Sequence, residues 1–522
     1  MKTPTALLRL VSASFAATFV AILAAAVALP AAGQADFTTF VQIGDSITAG
    51  FTDGCLVEHG QRDSFGAIIA RQAGAASFEQ PLVKEPGLGP CMVLTSLAPT
   101  FGAKPNTGTP LNATLGRPYN NMAVPGFTVT HTTTSKTSAD NGNGLTDLVL
   151  RNPNLGNTTQ LQQAASLKPT FTTIFIGNND VLGPVSIATV VDGATLTTKA
   201  AFQTQFQLII DTMKAAQGGT GKGIVLGLPD ITSIPFATTV PPFITSGGKP
   251  VINPATGAPF TFLGQKSKVD PATGLNTGFD AIAPIPATSL ITLQAAALIP
   301  TGLGIPCAIA PLPNCNKPLP DGYLSLDTSS GTPKVKVNAG VVLYPDEVAL
   351  AKSRTADFNG IIQALGTAAG YKYFDTSAYF AEVKANGRDF GGMIVTTSFL
   401  SGGFFGYDGV HPTSTGYAIT ANDLISFINA NYGTSIPAVN LAPFLFNGNA
   451  QAGGYPVGLS FSPEETLAWA AEIWGNEDFR NSFSALFSVT APAWSSRHEP
   501  VGPSSGTILQ GVERHHRGVE QP

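Results

Sequence analysis

Thr38-Thr39-Phe40-Val41-Gln42-Ile43 runs straight into Gly44-Asp45-Ser46, and this join decides how the chain folds. A short β-branched and aromatic run closed by turn residues reads as a buried strand. The same arrangement returns three times. Phe171 to Ile176 ends in Gly177-Asn178-Asn179-Asp180, Lys222 to Leu228 ends in Pro229-Asp230, and Tyr371 to Phe374 ends in Asp375. Asn121 to Val124 is a weaker fifth strand. Helical patterns lie between them, over Ser64 to Gln72, Phe202 to Ala216, Asp346 to Ala369 and Ser414 to Tyr432. In the clearest, Val348, Ala351, Phe358, Ile362 and Leu365 recur at helical spacing, with Thr355 filling the stripe. Strands alternating with helices imply an α/β fold, a mostly parallel sheet covered on both faces. In such a sheet the carboxyl ends of the strands face the binding crevice, so the polar residues there are the first candidates for chemistry.

Outside this frame the chain changes character. Charged residues are 12% of the 522, against about 25% in an average soluble protein. The net charge is −5 and no Lys/Arg cluster occurs, which argues against nucleic acid as a partner. Residues 236–338 are dense in Pro, Gly, Thr and Ala and interrupt the alternation. They read as an insertion, either a lid or a surface elaboration. After Val439 the chain is again Gly/Pro-rich, with one short helix expected from Pro463 to Trp474, capped by Ser462. Val501 to Pro522 is polar and reads as disordered. The division is therefore 1–34 as a signal peptide, 35–435 as the α/β domain, and 436–522 as a partly disordered extension.

The signal peptide rests on Lys2 and Arg9, the uncharged run Leu10 to Leu29, and the small residues Ala31, Ala32 and Gly33. Cleavage is expected near Gly33 to Ala35, sending the protein to the periplasm or outside. Uncleaved, the run is long enough to anchor the chain in a bilayer. Cys55, Cys91, Cys307 and Cys315 remain in the exported part. The local pairs Cys55–Cys91 and Cys307–Cys315 suit an oxidising compartment, with free buried thiols as the alternative. Zinc-type spacing is absent, and no metal or cofactor is expected.

Ser46 stands just past the first strand, where its hydroxyl is either a nucleophile or a helix cap. A nucleophilic serine needs a base, and His411 in Asp408-Gly409-Val410-His411-Pro412 offers one. Asp408 sits where one turn can hold the other ring nitrogen, though a plain loop hydrogen bond gives the same pattern. Acyl transfer also builds charge on the former carbonyl oxygen. The Gly126 backbone N–H and the Asn179 amide are donors suited to it, and each is equally an ordinary turn residue when taken alone.

Read in order as Ser46, Gly126, Asn179 and His411, these residues resemble the SGNH hydrolase superfamily, also called GDSL esterases. Gly44-Asp45-Ser46 matches its first block, with Ile47 where Leu is usual. The segment Asn121 to Gly126 is similar to its Gly block, Gly177 to Asp180 to its Gly-x-Asn-Asp block, and Asp408 to His411 to its Asp-x-x-His block. Gly227 to Asp230 is similar to the stretch after its next strand. The likeness covers about 37–235 and 340–435. It implies a flavodoxin-like three-layer α/β/α fold and metal-free ester hydrolysis. Ser46 would be the nucleophile, His411 the base and Asp408 its orienter. The Ser46 and Gly126 N–H groups and the Asn179 amide would form the oxyanion hole.

The leading function is a secreted carboxylic-ester hydrolase acting on lipid or other acyl esters through an acyl-enzyme. A polysaccharide O-deacetylase is the second reading, and Trp469, Trp474 and Trp494, the only Trp residues, all lie in the extension rather than near the expected crevice. A non-catalytic exported binding protein on a hydrolase scaffold is the third. Membrane contact is expected only through the substrate or an uncleaved signal. Neither the oligomeric state nor acyl length can be read from the chain.

Overall fold

The computed structural model describes residues 34–96, 100–329, 331, 333–446 and 461–486. Residues 1–33, which carry the expected signal peptide, and the tail 501–522 lie outside the described residues. Four strands, β1 (Phe40–Gly44), β2 (Phe171–Phe175), β3 (Gly223–Leu226) and β4 (Lys372–Phe374), form one parallel sheet in the order β1-β2-β3-β4. Phe40 stands opposite Phe171 and Gly44 opposite Phe175, so the two strands stop together. The weak fifth strand is a single parallel bridge from Asn121 to Gln42. Backbone bonds from Met122 to Gln42 and from Val124 to Gly44 carry the segment along β1, and the Asn121 side chain bonds the Thr48 carbonyl at 2.8 Å and takes the Ala123 N–H at 3.1 Å. Counted second in the chain, that segment gives the order 2-1-3-4-5, the flavodoxin-like arrangement.

The helices that position the site are α1 (Ser46–Ala49), α2 (Phe65–Gln72), α3 (Val129–Thr134), α4 (Gln160–Ser166), α5 (Asn179–Ser186), α6 (Lys199–Ala216), α7 (Pro345–Ala369), α8 (Thr376–Asn386), α9 (Ser414–Tyr432), α10 (Pro463–Gly475) and α11 (Glu477–Leu486). α2 and α9 cover one face, where Phe65 meets Phe175 and Phe171 meets Tyr432. α6 and α7 cover the other, their Phe202 and Phe358 rings stacked at 3.8 Å and Gly366 laid directly on Val225. Every residue of β1, β2 and β3 is buried, as a sheet packed on both faces requires. Fully burying each large apolar side chain stabilises the fold by about 1.5–3 kcal/mol.

Both expected disulfides are formed, Cys55–Cys91 and Cys307–Cys315, each with Cα atoms 4.9 Å apart. The insertion consists of short antiparallel pairs, the longest joining Tyr323–Asp327 to Lys334–Asn338. Its Phe262 is buried beside Gly304, within the insertion itself. Leu293 instead reaches the domain and touches Gly409. α10 begins at the expected Ser462 cap, whose side chain accepts the Glu465 N–H. α11 follows after Asn476 and was not foreseen.

Candidate active site

β1 delivers the chain into the crevice at Gly44. Asp45 then caps α1, its Oδ1 accepting the Ile47 N–H at 3.2 Å. Its other oxygen accepts from the Asn178 amide at 2.9 Å, which ties the end of β1 to the end of β2. Burial pushes the Asp45 carboxyl up to about 6 against these hydrogen bonds. Ser46 is therefore the first residue of α1 and not its cap.

His411 crosses to it from the loop before α9. Its Nε2 lies 2.8 Å from Ser46 Oγ and its Nδ1 lies 2.7 Å from Asp408 Oδ2. Asp408 also accepts from the Gly54 N–H at 3.2 Å, the Val410 N–H at 2.9 Å and the His411 N–H at 2.8 Å. Burial opposes its charge, but His411 and these donors outweigh it and hold the carboxyl below the usual range. The carboxylate is thus ionised and fixes Nδ1 as the protonated nitrogen. Nε2 then faces Ser46 as an acceptor, the state a general base needs.

Gly126 and Asn179 are brought near each other through Phe127, which follows Gly126 in the chain. Asn179 is the first residue of α5, and its Nδ2 donates to the Phe127 carbonyl at 2.8 Å. An amide nitrogen carries two hydrogens, so a second remains to point at a ligand. Gly126 has φ +84°, a left-handed turn that a Cβ would strain. Asp180, beside Asn179, accepts from the Val129 N–H at 3.0 Å and locks α5 to α3. Burial raises its carboxyl to about 7.

Two supports had no signal in the sequence beyond their residue type. His131 lies on α3, and its Nδ1 accepts the Thr128 N–H at 3.3 Å. The proton is then on Nε2, and the ring is bonded to the Gly126 main chain. Burial drives its pKa down to about 4, so it stays neutral. Asp53 neighbours Asp408, takes the Tyr407 N–H at 2.7 Å, and is raised by burial to about 7. Cys55, next to Gly54, ties that loop to Cys91. A third element, α11, lies over the crevice. Its Phe479, Phe483 and Leu486 sit at helical spacing, a pattern that is legible in the sequence.

Among the described residues no cluster of three His, Cys, Asp or Glu is arranged for a metal ion. No described helix is long and apolar enough to cross a membrane.

Residues 40–267 match the family model described as GDSL-like Lipase/Acylhydrolase. A solved protein assigned as a GDSL-like lipase, from Parabacteroides merdae ATCC 43184, is 11% identical. That similarity covers 77% of this chain and 99% of the other, with a TM-score of 0.30. No curated protein was found to match. The family match supports a hydrolase of the SGNH type.

Proposed function

With a GDSL-like lipase/acylhydrolase match over residues 40–267 as the premise, we propose that the chain is an exported serine hydrolase of carboxylic esters. The observation that carries this is the unbroken relay Ser46 Oγ–His411 Nε2, 2.8 Å, and His411 Nδ1–Asp408 Oδ2, 2.7 Å. Ser46 Oγ attacks the ester carbonyl as His411 Nε2 takes its proton. The oxyanion is held by the Ser46 and Gly126 N–H groups and the second Asn179 amide hydrogen. The C–O bond breaks, and His411 returns the proton to the departing alcohol. Water then attacks the acyl carbon as His411 Nε2 takes its proton, the bond from the acyl carbon to Ser46 Oγ breaks to release the acid, and His411 returns the proton to Ser46 Oγ. Asp408 orients His411 and stabilises its charged form throughout.

Two disulfides fit an oxidising compartment and support export. Turnover of nitrophenyl esters from acetyl to palmitoyl by the wild type and by Ser46→Ala tests the proposal. Turnover of at least one ester, abolished in a folded Ser46→Ala, is expected. Equal rates in both proteins would end the reading.

A further inference from the structure

The groups assigned to the reaction are closed off. Ser46 is 2% exposed, His411 0% and Asn179 4%, and Gly126 is buried. An ester must bring its carbonyl to Ser46, so part of this cover has to move. α11 lies across the crevice at three points. The Leu486 carbonyl oxygen is 2.3 Å from where a Cβ on Gly126 would stand. Phe479 lies 2.3 Å from the corresponding point on Gly54, whose N–H holds Asp408. Phe483 packs on Phe236, whose own N–H bonds the Gly409 carbonyl in the His411 loop. Leu486 also packs against the apolar cluster that contains Ala49, Phe51 and Ala123.

α10 and α11 are held differently. α10 is fastened to the domain through Glu472, which accepts the Phe101 N–H at 2.8 Å, and through the contact of Phe101 with Trp469. α11 follows after Asn476 and is held by its Phe479 and Phe483 against Trp474 and by Arg480, which donates to the Trp474 carbonyl. Its inner face is apolar, while Glu477, Asp478, Asn481 and Ser484 are exposed on its outer face. Beneath it Trp474 is fully buried, and its indole N–H has no hydrogen-bond partner. Lifting α11 in water would expose Phe479, Phe483 and Leu486, which the hydrophobic effect opposes. Lifting it against an apolar surface would not, and the Trp474 N–H would gain partners at the polar boundary.

We propose that α11 is a lid over the Ser46 crevice, and that it opens on the surface of aggregated lipid-like esters. The inference rests on the serine-hydrolase reading and deepens it. The active form takes its substrate from a micelle or bilayer. The insertion touches the His411 loop through Leu293 at Gly409.

The test follows covalent labelling of Ser46 by a water-soluble fluorophosphonate. It is run on the full wild-type chain, with and without vesicles of dialkyl-ether phosphatidylcholine, which present an apolar surface but no ester. A lid that is mostly shut lowers the rate by its open fraction, so vesicles should speed labelling about tenfold or more. A Phe479→Ser/Phe483→Ser variant should label fast without vesicles, and vesicles should add little. One wild-type rate with and without vesicles overturns the lid and leaves the serine reading intact. That arm decides the matter even if the double variant fails to fold. Absence of labelling in every sample would instead remove the serine reading, and the lid with it.

Discussion

Asp408→Asn replaces one carboxylate oxygen by a donor in a place where four N–H groups converge. The amide oxygen will stay with the Val410 and His411 N–H groups, which lie at 2.9 and 2.8 Å. The new NH₂ then faces His411 Nδ1, which must accept, so the ring proton moves to Nε2. That nitrogen can no longer take the Ser46 proton. A wrong tautomer in otherwise intact geometry lowers kcat by about 10⁴ in a well-studied serine protease. The expected loss here is about 10³–10⁴-fold, or ~4–5.5 kcal/mol of barrier. The Gly54 N–H loses its acceptor as well, which costs about 1–3 kcal/mol of stability. Initial rates on a short nitrophenyl ester and a thermal melt measure both effects. A folded Asp408→Asn with kcat within about tenfold of wild type would refute the assigned role of Asp408.

Asn179→Ala should lower kcat by about 10²–10³-fold with little change in KM, as steady-state kinetics would show, because its amide acts on charge present only in the transition state. Asp53 has a folded pKa of about 7, above its unfolded value of 3.8, so its contribution to stability is full below pH 3.8 and is lost as pH rises through 7. Asp53→Asn, which keeps an acceptor for the Tyr407 N–H, should therefore melt higher than wild type at pH 8 and lose that advantage by pH 4. Cys55→Ser/Cys91→Ser opens a loop with a sequence separation of 36, a loss of about 3–4 kcal/mol in a chain-entropy estimate. Denaturant melts should show that loss, and kcat should fall too because Gly54 no longer holds Asp408 firmly.

The parts legible in the sequence are those whose physics is local. β1 and β2 were readable because short apolar runs stop at turn residues. α9 was readable because Tyr417, Ala421, Leu424 and Ile428 recur at helical spacing, and in the structure Thr413 caps it and Gly433 ends it in a left-handed turn. Ser46, Gly126, Asn179, Asp408 and His411 were picked out by motif, each next to a strand end or a turn. What stayed hidden depends on contacts far apart in the chain. The stripe on α7 also buries Arg354, which pairs with Asp192 at 2.9 Å, and no periodicity of apolar residues reports that. His131 sits in a Thr-rich stretch with no pattern of its own, and only the fold brings it to Gly126. The short apolar face of α11 gave no hint that it lies on Gly54 and Gly126. Composition left the insertion open as a lid or a surface elaboration; it meets the His411 loop through Leu293, while α11 packs on Gly54 and Gly126.

The central claim is that Ser46 is the nucleophile, and one measurement tests it directly. The wild-type protein is treated with a fluorophosphonate in the presence of ether-lipid vesicles, digested, and mapped by mass spectrometry. One adduct is expected, on the peptide containing Ser46, with ester turnover lost in proportion to labelling, and no adduct in Ser46→Ala. An adduct elsewhere that tracks the loss of turnover, or full turnover in folded Ser46→Ala, would contradict it.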